Sequence, residues 1–171
     1  MISSTVLLGG AVATLLLLCC SAFFSSSEIA LFSLQPEWIE TRAESGEPAA
    51  VVLAELRENP HRLLVTLLVG NTIVNIAISS IATALLVGVL PAGPAVLVAT
   101  LGATLLILIF GEIVPKAFGL GNAETWAVTV ARPIRLVERA LSPLITVLEA
   151  FTSVLSAPLS ADEEIEKPYL D

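Results

Sequence analysis

From Leu63 to Gly111 the chain runs for 49 residues without an Asp, Glu, Lys, Arg or His. As one helix this run would be about 73 Å long, more than twice the ~30 Å hydrocarbon core of a bilayer. It must therefore fold back on itself. Leu90-Pro91-Ala92-Gly93-Pro94 supplies the turn, since two prolines and a glycine within five residues interrupt a helix. The first 27 residues are also uncharged. They are too long for a secretory signal and lack its basic leading region, so they read as a retained transmembrane helix. With 56% hydrophobic and 14% charged residues, the sequence predicts an all-α integral membrane protein with spans at about 2–24, 63–90 and 95–116.

The segments between the spans have a different texture. Residues 33–59 interleave Trp38, Ile39, Val51, Val52, Leu53 and Leu56 with glutamates and two arginines, which predicts a juxtamembrane helical hairpin broken near Ser45-Gly46-Glu47-Pro48. Residues 123–157 are more apolar. Pro133, Pro143 and Pro158 are expected to cut them into pieces too short to span, giving a belt helix at the membrane surface with Arg132, Arg135 and Arg139 on its solvent or headgroup face. Residues 160–171 form an acidic linker that ends abruptly, as in a membrane fragment of a longer protein.

Basic residues set the orientation. All eight (Arg42, Arg57, Arg62, Lys116, Arg132, Arg135, Arg139, Lys167) follow the first span or the third. The positive-inside rule then puts the N-terminus and the Pro-Gly turn outside, and residues 28–62 and everything after Lys116 in the cytoplasm. The net charge of −8 argues against nucleic acid as a partner. Cys19 and Cys20 are neighbours within a span and read as apolar packing.

Three polar groups interrupt the apolar background. Ser25-Ser26-Ser27-Glu28 closes the first span: it could be a capping box that starts a new helix, or a helix break exposing hydroxyls and carbonyls. In the second span Asn71, Asn75, Ser79 and Thr83 recur every four residues on one face. Interhelical hydrogen bonding explains Ser79 and Thr83, but two asparagines one turn apart offer more oxygen than one packing contact needs. They would lie ~12 and ~18 Å from the cytoplasmic side.

The third group, Phe110-Gly111-Glu112-Ile113-Val114-Pro115-Lys116, ends the neutral run with a carboxylate. Gly111 permits close backbone approach. Pro115 has no amide for the carbonyl of Gly111, four residues back. Glu112 could simply pair with Lys116 at i+4. It could also be a ligand, because an ionisable group at membrane depth is expensive and usually functional. One carboxylate, amide oxygens, hydroxyls and carbonyls, without a thiolate or imidazole cluster, suit Mg²⁺ or Na⁺ rather than zinc or copper. His61 is the lone histidine, and no nucleophile elbow, His-Glu-x-x-His or phosphate-binding loop is present, so this region is not expected to be an enzyme.

Three stretches carry a resemblance: Phe23 to Ser33 around the serine triplet, Asn59 to Ile76 with Gly70-Asn71-Thr72-Ile73-Val74-Asn75, and Phe110 to Lys116. In this order they resemble the signatures of the CNNM/CorC (cyclin M) magnesium-transport family, with Ser26 where most members have glycine. The resemblance covers the chain to about residue 159. It implies three transmembrane helices with a cytoplasmic-side belt helix, paired as a homodimer, and a dehydrated Mg²⁺ site in each protomer coupled to Na⁺. Cytoplasmic CBS domains that bind ATP would follow residue 171 in the full-length protein. Carried over residue by residue, the site is Ser25 or Ser27, Asn71, Asn75, the carbonyl of Gly111 and Glu112, supported by Pro115 and Lys116. The expected function is Mg²⁺ export across the plasma membrane. A regulatory or scaffolding module, a Mg²⁺ sensor acting on other transporters, and a passive cation channel are the alternatives. Gly70, Ala77, Ala82, Ala84, Gly102 and Ala103 are the small residues expected to let spans two and three approach a partner.

Overall fold

Each of the three apolar runs forms a helix long enough to cross a membrane: Ser4–Ser33, Pro60–Val87 and the continuous stretch Ala92–Gly121. The computed structural model describes residues 3–156, with side chains described to Phe151, and the chain is helical throughout, with no strand among the described residues. In order the elements are α1 (Ser4–Ser33), α2 (Pro36–Glu44), α3 (Pro48–Arg57), α4 (Pro60–Val87), α5 (Ala92–Leu106), a π-helical segment (Ile107–Ile113), α6 (Val114–Gly121) and α7 (Ala123–Ser156). The acidic stretch 160–171 lies outside the described residues.

The proposed turn shifts by a few residues. α4 stops at Val87, and α5 starts at Ala92 with Pro94 inside its first turn. There the missing amide of proline removes no intrahelical bond, so the turn is Gly88–Pro91 rather than 90–94. Prolines also open α2 and α3. Between these two helices Gly46 adopts φ 81°, which any larger side chain would resist.

α1 and α4 pack closely because Gly70 faces the ring of Phe24. A Cβ at position 70 would lie 2.6 Å from a ring carbon. Gly70 and the buried Ala103 are thus used in packing within the chain, whereas Gly102 has open space beside it. The largest buried cluster lies at one end of the bundle. There Phe24 and Leu31 of α1 and Leu34 just after it meet Leu53 and Leu56 of α3, Leu63 and Leu67 of α4, and Val130 and Ile134 of α7. Arg57 closes the C-terminal end of α1: its guanidinium donates to the carbonyl of Leu31 at 2.9 Å and lies 5.2 Å over the Phe32 ring. Elsewhere large apolar side chains point outward, Leu8, Leu15, Leu68 and Leu97 among them. A soluble protein would not leave these exposed on every helix, whereas hydrocarbon chains would cover them.

α7 departs from expectation. It is not cut at Pro133 or Pro143 but runs through both. Both prolines face outward, as do Thr129 and Arg139, whose carbonyls four residues earlier lose their helical donor. The freed carbonyls therefore stay accessible to solvent or headgroups, while Val130, Ala131, Ile134 and Ile145 bury the opposite face and hold the helix in place.

Arg62, in the first turn of α4, ties that helix to α7. It donates from Nε to Glu138 (3.1 Å), from Nη1 to Glu149 (2.9 Å) and from Nη2 to Ser142 (2.7 Å). One guanidinium thus spans the Pro143 position, with a carboxylate on each side of it. Arg135 extends the network by binding Glu138 and Glu55. Removing Arg62 would withdraw the guanidinium held by Glu138 and Glu149 and leave Glu138 only its longer contact with Arg135. Arg62→Met is expected to destabilise the fold by about 2 kcal/mol, read as a lowered thermal midpoint in detergent; an unchanged midpoint would show that the network adds nothing.

Candidate functional site

Midway along the bundle, α1, α4 and the π segment bring a set of oxygens together. Ser21 of α1 is fully buried, and its Oγ lies 3.0 Å from Asn71 Oδ1 and 2.8 Å from Asn75 Oδ1. Asn75 in turn donates from Nδ2 to Glu112 Oε1 at 3.3 Å, which fixes its amide orientation and points its carbonyl oxygen at Ser21. A serine hydroxyl has one hydrogen. It donates to one amide oxygen at a time, so polar side chains of α1 and α4 converge here beside Glu112 of the π segment.

Gly111 makes this closeness possible. It is buried, and a Cβ there would sit 2.6 Å from Ser21 Oγ. The π segment gives Glu112 its direction. In it the amide of Val114 bonds the carbonyl of Ile109, five residues back, rather than four. Pro115 comes next and has no amide, so it leaves Phe110 without a donor in that wider register and Gly111 without one in the ordinary helical register. The sequence gives no sign of the π segment; proline at 115 signals the loss of one bond but not the change of register.

The serine triplet differs from expectation. α1 runs unbroken from Ser4 to Ser33, so residues 25–28 neither start a new helix nor expose carbonyls. Ser26 Oγ donates back to the carbonyl of Ala22 (2.7 Å) and receives the indole Nε1–H of Trp126 (3.0 Å), so its polarity is satisfied without breaking the helix. Gly119 of α6 rests against the Ser26 carbonyl, where no side chain would fit. Ser25 and Ser27 are buried, and neither hydroxyl has a hydrogen-bond partner. An unsatisfied buried hydroxyl costs about 1–3 kcal/mol. Ser25 lies one turn beyond Ser21 on the same face, whereas Ser27 is rotated away from it.

Lys116 does not pair with Glu112. Its Nζ lies 3.3 Å from Glu28 Oε2, linking α6 to α1, because the π segment turns Glu112 toward α4 and leaves Lys116 on the α1 side. Ser79 and Thr83 also differ from expectation. They donate to the carbonyls of Asn75 (3.0 Å) and Ser79 (2.8 Å) in their own helix rather than bridging helices. With Thr72, Asn75 and Ser80 they line an open groove of about 690 Å³ that starts at the site and follows α4 toward Gly88.

Of the residues expected at the site, Asn71, Asn75, Gly111 and Glu112 are brought together, Ser25 lies one turn away, and Ser27 is on another face. Ser21 was missed. Its signal was available: it precedes Ser25 by four residues and so shares that face. Among the described residues no group of three His, Cys, Asp or Glu side chains could hold a metal.

Comparisons with known proteins identify the family. Residues 12–170 match the cyclin M transmembrane N-terminal domain. A UPF0053 protein of Synechocystis is 35% identical over 130 residues, covering 75% of this chain and 37% of its own length. The UPF0053 inner membrane protein YfjD of Escherichia coli is 29% identical over 142 residues, 82% of this chain and 33% of its own. The metal transporter cnnm-1 of Caenorhabditis elegans is 40% identical over 97 residues, 54% of this chain and 11% of its own. The chain thus spans about a third or less of the length of these relatives. A family match over nearly all of the chain, together with three helices able to cross a bilayer, makes this a multi-pass membrane protein that belongs to the cyclin M (CNNM) family.

Proposed function

We propose that the chain carries Mg²⁺ across the membrane through a site formed by Ser21, Ser25, Asn71, Asn75, the carbonyl of Gly111 and Glu112. The observation that carries this reading is the convergence of the Ser21, Asn71 and Asn75 side chains beside the Glu112 carboxylate and one turn from the unpartnered buried hydroxyl of Ser25. A small hard cation can be held by oxygens from all of them at once. Mg²⁺ holds its ligands at ~2.0–2.1 Å and sheds water reluctantly, so several oxygens must converge before it is stripped. Here they come from three different segments. The name of the C. elegans relative, a metal transporter, supports the same reading.

In this proposal the N-terminus lies outside and α2, α3 and α7 lie at the cytoplasmic face of the plasma membrane, following the distribution of basic residues. Mg²⁺ arrives from the cytoplasm, binds with most of its water removed, and leaves outward. Na⁺ then takes its place, since one carboxylate among neutral oxygens can serve either ion in turn. The working unit is a homodimer, and ATP acts through CBS domains of the full-length protein.

The test is ion flux with the purified chain in liposomes. Mg²⁺ efflux is expected to require an opposing Na⁺ gradient. Flux that ignores Na⁺ would assign a passive channel, and no flux together with no Mg²⁺-dependent rise in melting temperature would assign a regulatory module.

A further inference from the structure

Away from the cation site, α7 presents two adjoining rows on its outward side. One row is apolar: Leu136, Leu144, Val147 and Phe151 are all exposed, Leu136 at 69% and Phe151 at 66%. Beside it run Arg132, Arg135 and Arg139 at spacings of three and four residues. The three arginines are not equivalent. Arg135 is committed to Glu55 and Glu138. Arg132 and Arg139 are exposed and form no ion pair among the described residues. The acidic side chains nearest in the helix leave them free: Glu138 is bound by Arg62 and Arg135, Glu149 by Arg62, and Glu124 lies two turns before Arg132.

We infer that this face of α7 docks on anionic phospholipid, with Arg132 and Arg139 each binding a headgroup phosphate while the apolar row enters the acyl boundary. A helix with a buried inner face, an exposed apolar strip and a cationic edge matches the geometry of an interfacial helix, with arginine at phosphate depth. Charge complementarity selects the lipid. Two guanidinium groups without carboxylate partners among the described residues attract anions, and phosphate accepts the planar fork in two hydrogen bonds. Exposed Pro143 fits the same setting, because the carbonyl it frees belongs to Arg139 on the cationic row, where headgroups and water can satisfy it. A second copy of the chain would cover the apolar row equally well but would need carboxylates opposite the arginines.

The measurement is competitive lipid retention. Detergent-purified protein is equilibrated with equimolar phosphatidylglycerol and phosphatidylcholine, and bound lipids are counted by native mass spectrometry. The wild-type protein is expected to prefer phosphatidylglycerol on the order of tenfold, with the preference shrinking as salt is raised. R132Q/R139Q should bring it near unity with helicity and melting temperature in neutral lipid unchanged, and R132K/R139K should keep most of it. Equal retention of the two lipids by the wild type, a salt-independent preference, or an unaltered preference in R132Q/R139Q would each overturn the inference. A changed oligomeric state in R132Q/R139Q without any lipid preference would also overturn it and assign the face to a second copy. The wild-type salt series decides the matter even if the double variant does not fold.

Discussion

Glu112→Gln is expected to abolish Mg²⁺ flux in proteoliposomes and to lower Mg²⁺ affinity on the order of 100-fold or more, while leaving the fold intact. The glutamine is nearly isosteric and its amide oxygen can still accept from Asn75 Nδ2, so the α4–π segment contact survives. What goes is the one negative charge in the cluster, since Ser21, Asn71 and Asn75 are neutral. Changes to groups that merely orient a metal ligand cost 10–100-fold in affinity, and loss of the only charged ligand should cost no less. The effect separates site from scaffold: Mg²⁺ should raise the melting temperature of the wild type but not of the variant, whose own midpoint should stay close to that of the metal-free wild type. Equal flux in both proteins would sink the site. Asn71→Ala is a weaker version of the same test, since it removes one of two amide oxygens that compete for the Ser21 hydrogen.

Much of this molecule is legible in its sequence because a bilayer leaves few choices. Apolar runs of this length must be helices, as every backbone group has to be satisfied within the segment; what escaped were their limits, the turn at Gly88–Pro91 and the continuation of α1 to Ser33. Asn71, Asn75, Gly111 and Glu112 could be picked out by being polar or flexible where nothing else is. The failures share a cause as well. The serine triplet looked like a break because serine competes for backbone bonds, but the buried hydroxyl of Ser26 turns back on its own helix and the break is unnecessary. Pro133 and Pro143 looked like stops, but tertiary packing of Ile134 and Ile145 and the Arg62 bridge across position 143 outweigh the local penalty. The Lys116–Glu28 pair depends on a π register that no residue pattern announces.

The same register makes Gly111 the most sensitive position outside the carboxylate, and Gly111→Ala is expected to reduce Mg²⁺ flux at least tenfold with no loss of helicity. A methyl group there would lie 2.6 Å from Ser21 Oγ and 3.3 Å from Ser21 Cβ, so α1 and the π segment must move apart by about half an ångström or more. Ser21 cannot swing clear easily, because its side chain is fully buried and held between Asn71 and Asn75. Mg²⁺ demands near-ideal octahedral distances, so a displacement of that size at one wall removes ligands rather than lengthening them. Alanine is the better helix former, so helicity in circular dichroism should hold or rise slightly even as transport falls. Gly9→Ala on α1 is the matched comparison: the same change of residue meets nothing within 4 Å and should leave flux unchanged. If both variants transported like the wild type, close approach at Gly111 would be incidental to function. If both lost activity, backbone stiffening rather than the contact with Ser21 would be the cause. Loss confined to Gly111→Ala ties transport to the point where α1 and the π segment meet.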